Sequence, residues 1–332
     1  MTASLIRKSS SSIDSRFGKR PEDRTIDELM ETGLVVIDKP MGPTSHQVAA
    51  WVRDILGIRK TGHGGTLDPR ATGVLPIGLG NAVRAMDYIH SAGKRYIGLM
   101  KLHDDVDTDA LERIFREFTG EIFQTPPVRS AVKRALRKRT IESLGLLERS
   151  GNIVLFDVRC EGGTYVRSLC VDIGDALGTG AHLQELRRIE AGPFAEKDAI
   201  TLHALRDAVE FRNDGDDREL RKVIIPMERI FHGWKRIVVK DSAIDALCHG
   251  ATLAIPGIVE LSKSIDKGDK VAIFSLKDEI VATGTAILDT EDIIDMKEGE
   301  VVRLERVFME PGTYPKSWAS RADIKGRTRT NN

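Results

Sequence analysis

The sequence has few cysteines and no long apolar run, and both absences exclude classes of protein. Three cysteines occur in 332 residues, and no two of them are spaced as Cys-x-x-Cys. We therefore expect neither a disulfide framework nor a zinc site, and a reducing compartment fits this composition. No apolar run reaches the roughly 18 residues that a membrane-spanning helix needs. The serine-rich N-terminus has no apolar signal core, so we expect a cytoplasmic protein with no membrane partner.

The sequence also lacks net charge, although its charges are unevenly distributed. Lys plus Arg and Asp plus Glu both number 50. A nucleic-acid-binding protein is often basic overall, and this chain is not. One basic run contains no acid and includes Arg129, Lys133, Arg134, Arg137, Lys138 and Arg139. Local patches decide where a polyanion binds, so this run is either a phosphate-binding segment or a solvated charged face.

Three segments begin like cofactor-binding motifs but miss the residue that each motif requires. Residues 57–63 start like a phosphate-binding loop, yet His63 stands where a lysine must reach the phosphates. Residues 78–83 lack the third glycine of a dinucleotide fingerprint. The acidic cluster at residues 104–109 lacks the glycine and closing glutamate of a calcium loop. We therefore expect no cofactor.

In the first two thirds of the chain, some segments space their apolar residues as strands do and others as helices do, and the two kinds follow each other irregularly. No β-α-β unit repeats, which predicts an α+β fold with a mixed sheet and not a doubly wound one. Residues 211–219 are polar and predict a linker, after which short strands and one helix predict a small β-barrel. We accordingly assign residues 1–24 to a flexible arm, 25–230 to a first domain, 234–310 to a second, and 311–332 to a basic tail.

A glycine-rich loop at residues 62–69 holds a single carboxylate, Asp68. Three glycines within four positions allow the backbone to approach a ligand closely, and Pro69 restricts the conformation of the residue before it. This combination occurs in ordinary turns. It also suits a loop that holds one acid rigidly beside a bulky substrate.

The loop does not stand alone, because three further motifs accompany it. Residues 39–45 read Lys-Pro-Met-Gly-Pro-Thr-Ser, residues 163–169 read Gly-Thr-Tyr-Val-Arg-Ser-Leu, and residues 186–192 read Leu-Arg-Arg-Ile-Glu-Ala-Gly. Together the four resemble, in the same order, the motifs of the TruB family of pseudouridine synthases. The archaeal branch, related to dyskerin and active within H/ACA guide-RNA particles, is the most similar. The C-terminal segment resembles a PUA domain.

The resemblance implies an isomerase that converts uridine to pseudouridine. Its fold would be a mixed-sheet catalytic domain over residues 25–230 followed by a PUA barrel over residues 234–310. The substrate would be rRNA selected by an H/ACA guide RNA, or uridine 55 in the TΨC loop of tRNA. Implied partners are a zinc-ribbon protein, a barrel protein of the glycine-arginine-rich type and a kink-turn-binding protein, in an archaeal cell. The alternative is a non-catalytic RNA-binding scaffold, while a nucleotide-dependent enzyme is a weaker third reading.

The resemblance also implies roles for individual residues. Asp68 would be the catalytic acid, and Arg167 would pair with it. The flipped base would stack on Tyr96 and touch Leu186, with Tyr165 as a second wall of the pocket. His63 would fill the gap left by the base, and Lys39 would contact phosphate. From the residues alone, each also has a plain reading. Arg167 would be a solvated arginine, Tyr96 a core tyrosine, His63 a local hydrogen-bonding group and Lys39 the residue before a proline turn.

Two further segments are expected to bind RNA without contacting the reacting base. The basic run matches the position of the family's mobile thumb loop, where Arg and Lys bind phosphates without reading sequence. Residues 250–257, with Gly250, Leu253 and Pro256, resemble the PUA loop that receives the ACA end of a guide RNA or the CCA end of tRNA. The same residues also suit a helix stop followed by a barrel strand.

Overall fold

The computed structural model describes residues 4–125 and 135–316, which form two compact units. The larger unit spans Ile26–Ile225, and the smaller combines the N-terminal segment through Thr25 with the chain from Pro226 onward. The α-helices of the described residues are α1 (Ile26–Thr32), α2 (Ser45–Leu56), α3 (Met86–Ser91), α4 (Thr108–Glu117), α5 (Val166–Ala176), α6 (Leu202–Asn213), α7 (Arg218–Val223), α8 (Asp241–Cys248) and α9 (Thr290–Asp295). The strands are β1 (Leu5–Arg7), β2 (Gly33–Lys39), β3 (Thr61–His63), β4 (Thr72–Leu79), β5 (Lys94–Leu102), β6 (Gly120–Gln124), β7 (Arg137–Ser150), β8 (Ile153–Cys160), β9 (Ala181–Ala191), β10 (Phe194–Ala195), β11 (Ile225–Pro226), β12 (Lys235–Val239), β13 (Leu253–Ala254), β14 (Ile258–Ser262), β15 (Lys270–Phe274), β16 (Ile280–Ala286) and β17 (Glu300–Val307).

The larger unit is built on one mixed sheet with the strand order β2-β4-β9-β5-β8-β7-β6. Most neighbours are antiparallel, but β4 pairs with β9 in parallel over the two pairs Thr72–Arg187 and Gly73–Arg188. Helices α2 and α6 pack with β2 and β4 in one hydrophobic cluster. Helices α4 and α5 pack with β5 and β8 in a second cluster. The α+β expectation with a mixed sheet is therefore confirmed.

Local sequence explains where α2 lies. Thr44 caps its start, accepting a hydrogen bond from the Gln47 amide at 3.1 Å, while the Gln47 side chain accepts from the Thr44 amide at 2.8 Å. Gly57 ends the helix in a left-handed conformation with φ of 63°. Val48 and Val52 are fully buried on the face toward the sheet. The helix therefore begins at Ser45, the last residue of the motif at residues 39–45, and fixes the position of that motif.

Residues 211–219 do not form the linker that their polarity predicted. They contain the end of α6 and the start of α7, which pack against each other within the larger unit. Leu220 is fully buried and anchors α7, so one apolar residue is enough to hold this polar stretch against the core. The boundary between the units falls after Ile225.

The smaller unit contains a seven-stranded sheet with the order β1-β14-β12-β15-β16-β17-β13. A cluster of buried aliphatic side chains lies between this sheet and α8. Within β12–β17 the pairing is antiparallel except for β12 with β15. Short strands separated by turns are the pattern expected from residue 234 onward.

The N-terminal segment differs from the flexible arm that its polar composition predicted. Strand β1 pairs antiparallel with β14, joining Leu5 to Ser262 and Arg7 to Glu260. The Lys277 ammonium donates hydrogen bonds to the carbonyls of Phe17 and Gly18. Backbone pairing and polar contacts hold this segment, and neither produces the apolar periodicity that sequence reading detects.

The start of the predicted C-terminal tail is also packed against the smaller unit. Tyr314 is 2% exposed, and its hydroxyl donates to the Glu279 carboxylate at 2.5 Å. The same carboxylate accepts from the Lys19 amide at 2.9 Å, so one buried acid ties both ends of the chain to this unit. The rest of the predicted tail, residues 317–332, lies outside the described residues.

Replacing Gly73 with alanine is expected to destabilise the larger unit by more than about 2 kcal/mol. Gly73 has φ of 100°, and an added Cβ would lie 2.2 Å from the backbone oxygen of Arg188 on β9. Gly120→Ala is the matched control, because Gly120 has φ of 112° but no atom within 4 Å of an added Cβ. The control should lose only about 1 kcal/mol from its left-handed conformation. Urea unfolding followed by circular dichroism compares the two, and equal losses would show that contact with β9 does not matter.

Candidate active site

Asp68 lies in the loop between β3 and β4, and buried hydrogen bonds fix that loop. The Ser45 hydroxyl accepts from the Leu67 amide at 2.8 Å and donates to the Leu67 carbonyl at 3.1 Å. The Ala71 amide donates to the Asp68 carbonyl at 3.0 Å, closing a turn around Pro69. The residues on both sides of Asp68 are thus held while its own side chain remains 52% exposed.

Lys39 supports this loop from below and does not reach the surface. It is fully buried, and its ammonium donates to the carbonyls of Pro40 at 2.9 Å, Pro69 at 3.3 Å and Ala71 at 2.8 Å. Burial and the nearby positive charge of Arg188 lower its pKa. The predicted phosphate contact of Lys39 is therefore wrong, because the ammonium is already occupied by three carbonyls of the motif.

Arg167 meets Asp68 although 99 positions separate them in the sequence. Asp68 precedes β4, and Arg167 lies in the first turn of α5, where its guanidinium forms an ion pair with the Asp68 carboxylate. The two side chains are 53% and 52% exposed, respectively. An arginine fork beside a carboxylate orients it, and the exposure leaves both groups open to a ligand.

Tyr96 and Leu186 lie in the sheet below this ion pair. Tyr96 is only 8% exposed, on β5, and belongs to the same hydrophobic cluster as Leu67 and Ala71 from the Asp68 loop. Leu186 on β9 packs against this cluster and is half-buried. The structure thus brings Tyr96, Leu186 and the Asp68 loop into one cluster, as a pocket for an uncharged flat base requires.

Tyr165 precedes α5 and is held through its backbone. The Gln124 side-chain amide donates to the Tyr165 carbonyl at 3.1 Å and its oxygen accepts from the Tyr165 amide at 3.0 Å. Gln124 is 3% exposed and ends β6, immediately before the segment that contains the basic run. Sequence reasoning missed Gln124, since no motif or periodicity distinguishes a glutamine at a strand end.

His63 ends β3 as a largely buried, neutral imidazole. Burial, reinforced by the charges of His46, Arg188 and His90, lowers its pKa to about 4. Its Nδ1 accepts a weak hydrogen bond from the Gly65 amide at 3.4 Å, which leaves the proton of the neutral ring on Nε2. No described residue accepts a hydrogen bond from that buried Nε2. His63 thus combines local hydrogen bonding with one donor that is unused within the protein.

Arg188 and Lys94 are the residues of this region that sequence reasoning overlooked. Arg188 on β9 is 1% exposed and lies opposite Tyr96 in the pairing of β5 with β9. Lys94 on β5 is 4% exposed, and its ammonium donates to the carbonyls of Ile89 at 2.7 Å and His90 at 2.6 Å. Burial and the charge of Arg188 lower the Lys94 pKa to about 7. Lys94 lies two residues from Tyr96 on β5, and Arg188 lies two residues from Leu186 on β9, so each pair is on one face of the sheet. This spacing can be read from the sequence.

Half of the predicted phosphate-binding run lies outside the described residues, including Arg129, Lys133 and Arg134. Arg137 and Lys138 begin β7, where they pair with Gln124 and Phe123 of β6. The Lys138 ammonium forms an exposed ion pair with Glu121. The described part of the run therefore lies at the end of the β6–β7 pairing, next to Gln124, which holds Tyr165.

The three residues named for the second RNA site differ in accessibility. Gly250 follows α8 with φ of 85°, and the space around its Cα is open. Pro256 is exposed in a short turn after β13. Leu253 is 1% exposed and its side chain packs into the hydrophobic cluster, so only its backbone is available for the RNA contact predicted at this residue. An aliphatic side chain on a two-residue strand serves the core, and the accessible surface here is that of its neighbours.

Metal-binding clusters and membrane-spanning helices are both absent from the part of the chain that the structure describes. Residues 4–125 and 135–316 contain no group of three or more His, Cys, Asp or Glu side chains arranged to hold a metal ion. In the same residues, every helix is too short or too polar to cross a membrane.

Family models match nearly the whole chain in consecutive segments. Residues 2–49 match the DKCLD domain, and residues 53–166 match the N-terminal domain of the TruB family of pseudouridylate synthases. Residues 167–232 match the C-terminal domain of tRNA pseudouridylate synthase B, and residues 235–308 match the PUA domain. Asp68 and Arg167 therefore lie in the part of the chain that matches the TruB models, and the PUA domain follows that part.

Individual proteins agree with these models. The chain is 50% identical to the probable tRNA pseudouridine synthase B of Methanopyrus kandleri, covering 95% of this chain and 93% of the relative. The corresponding protein of Methanocaldococcus jannaschii is also 50% identical, over 95% and 94% of the two chains. A crystal structure of a Cbf5-Nop10-Gar1 complex matches with a TM-score of 0.88 and 46% identity, over 95% of this chain and 97% of that chain. An H/ACA RNP bound to a substrate RNA containing 2′-deoxyuridine matches with a TM-score of 0.88 and 44% identity, over 96% of this chain and 98% of that chain.

The chain belongs to the TruB family and is a pseudouridine synthase.

Proposed function

We propose that this protein isomerises uridine to pseudouridine with Asp68 as its reacting carboxylate, and that a guide RNA selects the uridine in rRNA. The observation that carries the proposal is the pairing of Asp68 with Arg167. Both groups are half exposed, and their chain neighbours Leu67 and Val166 belong to the hydrophobic cluster that contains Tyr96 and that Leu186 packs against. Nearly full-length similarity to the Cbf5 chains of H/ACA complexes supports the guided mode.

The chemistry needs little beyond these groups. The C1′–N1 bond of uridine breaks, the base turns, and C5 bonds to C1′, while C5 loses a proton and N1 gains one. No group is added and no net oxidation occurs, so one carboxylate acting as nucleophile or base is sufficient. A base inside an RNA helix is inaccessible and must be flipped out. We assign the flipped base to a stack on Tyr96 with an apolar contact to Leu186, and Tyr165 to a second wall.

His63 and the basic run complete the assignment. We assign the unused Nε2 donor of His63 to the gap that the flipped nucleotide leaves, since a buried donor without a partner costs free energy. The segment between β6 and β7, with Arg137 and Lys138 at its base, would contact phosphates and close over the RNA. The accessible residues Gly250 and Pro256 of the PUA domain would receive the single-stranded end of the RNA.

The same similarity extends the proposal to partners. The solved relatives are a Cbf5-Nop10-Gar1 complex, a Nop10-Cbf5 complex and an H/ACA RNP bound to a substrate RNA. We propose that small proteins of these kinds, with a kink-turn-binding protein, place the target RNA for this enzyme. The assembly would act in the cytoplasm of an archaeal cell.

A second activity, modification of uridine 55 in the TΨC loop of tRNA, is favoured by one observation. The relatives that are 50% identical over nearly full length are named probable tRNA pseudouridine synthase B. Both activities would use the same site, because the reaction at the flipped base is the same.

A tritium-release assay tests the guided mode. RNA labelled at uridine C5 loses its tritium when C5 bonds to C1′, so solvent radioactivity counts turnovers. We expect an rRNA target to be converted only when the guide RNA and the small proteins are present, and a tRNA transcript to be converted by the protein alone. A guide whose pairing arms are scrambled is the control. Equal conversion of the rRNA target with the matched and scrambled guides would contradict guided selection.

A further inference from the structure

We infer that Arg188 is a positioning residue for the isomerisation, holding the Asp68 loop and Tyr96 in fixed relation so that the carboxylate meets the sugar of a base stacked on the tyrosine. The inference rests on the proposed roles of Asp68 and Tyr96. It concerns a side chain that is almost fully buried and therefore acts on the substrate only through other groups.

Arg188 ties together the two ends of the loop that holds Asp68. Its Nε donates to the Val74 carbonyl on β4 at 2.7 Å, and its Nη2 donates to the Gly65 carbonyl at 3.1 Å. Gly65 precedes Asp68 by three residues, and Val74 follows it by six. A rigid guanidinium fork that bonds both carbonyls fixes their separation, and with it the path of the loop between them.

The same guanidinium lies against Tyr96. Arg188 and Tyr96 are directly opposite each other in the antiparallel pairing of β9 with β5. Burial raises the pKa of the Tyr96 phenol, and the charge and hydrogen bonding of Arg188 oppose that rise. One side chain therefore contacts the loop that carries the acid and the ring assigned to the base.

The charge of Arg188 is unusual because no described acid neutralises it. Among the described residues, no carboxylate forms an ion pair with Arg188, Lys94 or Lys39, although all three are at most 4% exposed. Hydrogen bonds to backbone carbonyls offset part of their lost hydration. A buried charge without an opposite charge is still expensive. An apolar residue in place of Arg188 would avoid that cost but would leave the Val74 and Gly65 carbonyls without this donor.

Arg188→Lys is the decisive variant, because lysine keeps the charge but has no fork to reach both carbonyls. We expect its single-turnover rate constant at saturating RNA to fall by about 100-fold, the loss that a misplacement of about 1 Å can cause. RNA affinity and the thermal midpoint should stay close to those of the wild-type protein. Arg95→Lys is the control for an arginine change beside Tyr96 on β5, since Arg95 pairs with Asp157 and Glu190 and its side chain is 37% exposed.

Rescue by a small cation gives an independent readout. In Arg188→Ala, added guanidinium ion should restore part of the lost rate, whereas sodium chloride at the same concentration should not. A merely structural arginine predicts no such specific recovery in the folded fraction, which circular dichroism monitors.

The outcomes separate the possibilities. A wild-type rate constant for folded Arg188→Lys overturns the inference. The inference is also overturned if the rate constant of Arg188→Lys falls only as much as its RNA affinity or its folded fraction falls. If Arg188→Lys does not fold, Arg188→Gln replaces it, and failure of both to fold shows a structural role that also overturns the inference. Failure of the proposed function itself looks different, because the wild-type enzyme and Arg95→Lys would then be inactive as well.

Discussion

Replacing Asp68 with asparagine is expected to abolish pseudouridine formation while RNA binding stays nearly intact. Asparagine has the same shape but cannot act as a nucleophile or a base, and both readings of the mechanism need one of these. We expect the single-turnover rate constant to fall by at least about 10⁴-fold, the scale seen when a reacting group is removed. Tritium release from C5-labelled RNA measures the rate, and filter binding measures the affinity.

The control for this variant is Asp54→Asn on α2. Asp54 is 61% exposed and pairs with Arg53 at 2.8 Å, so it matches the exposure and ion pairing of Asp68 at a place outside the site. The control should keep wild-type activity, because exposed ion pairs contribute about 0–1 kcal/mol. Continued pseudouridine formation by Asp68→Asn would remove Asp68 from the mechanism. A non-catalytic RNA-binding scaffold would show no pseudouridine formation in any variant, including the wild type.

Removing the guanidinium that pairs with Asp68 is expected to give the second largest loss. In Arg167→Met the carboxylate keeps its place on the loop but loses the fork that orients it. We expect the single-turnover rate constant to fall by about 10²- to 10³-fold, with RNA affinity changed much less. Arg167→Lys should fall between this variant and the wild type, because an ammonium keeps the charge without the planar fork.

Arg53→Met tests whether this loss is specific. It removes an arginine whose side chain is 45% exposed and pairs with a carboxylate. Arg167 is similar, since its side chain is 53% exposed and also pairs with a carboxylate. The control should retain its rate constant. An Arg167→Met enzyme that works as fast as the control would show that the ion pair is incidental and that the loop alone orients Asp68.

Sequence reading named Asp68 and Arg167 as candidates because both lie in short motifs with fixed order. The glycine-rich loop with Asp68 and the helix start with Arg167 can be read as motifs without any knowledge of the fold. The turn at residues 39–45 was equally readable, but the role of Lys39 was not. A lysine in a motif looks like a phosphate ligand, and only its complete burial under three carbonyls shows that it supports the loop.

The reverse error affected the segments outside the motifs. Residues 1–24 and 211–219 are polar, and polarity predicted a mobile arm and a linker. In the structure, β1 pairs with β14, and Leu220 anchors α7. Backbone hydrogen bonds and single buried side chains hold such segments, and neither leaves a periodic pattern in the sequence. Leu253 was named for RNA binding or for a barrel strand, and its motif context did not show that its side chain packs into the core.

The sequence by itself determined the family, the order of the two modules and the candidate pair of Asp68 and Arg167, because motif identity and spacing need no three-dimensional knowledge. Only the tertiary structure decided that Asp68 and Arg167 meet, that Lys39 lies below the loop, and that Arg188 links the loop to Tyr96. These contacts join positions that are 30 to 123 residues apart, as Lys39 with Pro69 and Arg188 with Gly65 are. Such pairs are set by the register of β4, β5 and β9 in the folded sheet, and no local property of the chain specifies that register.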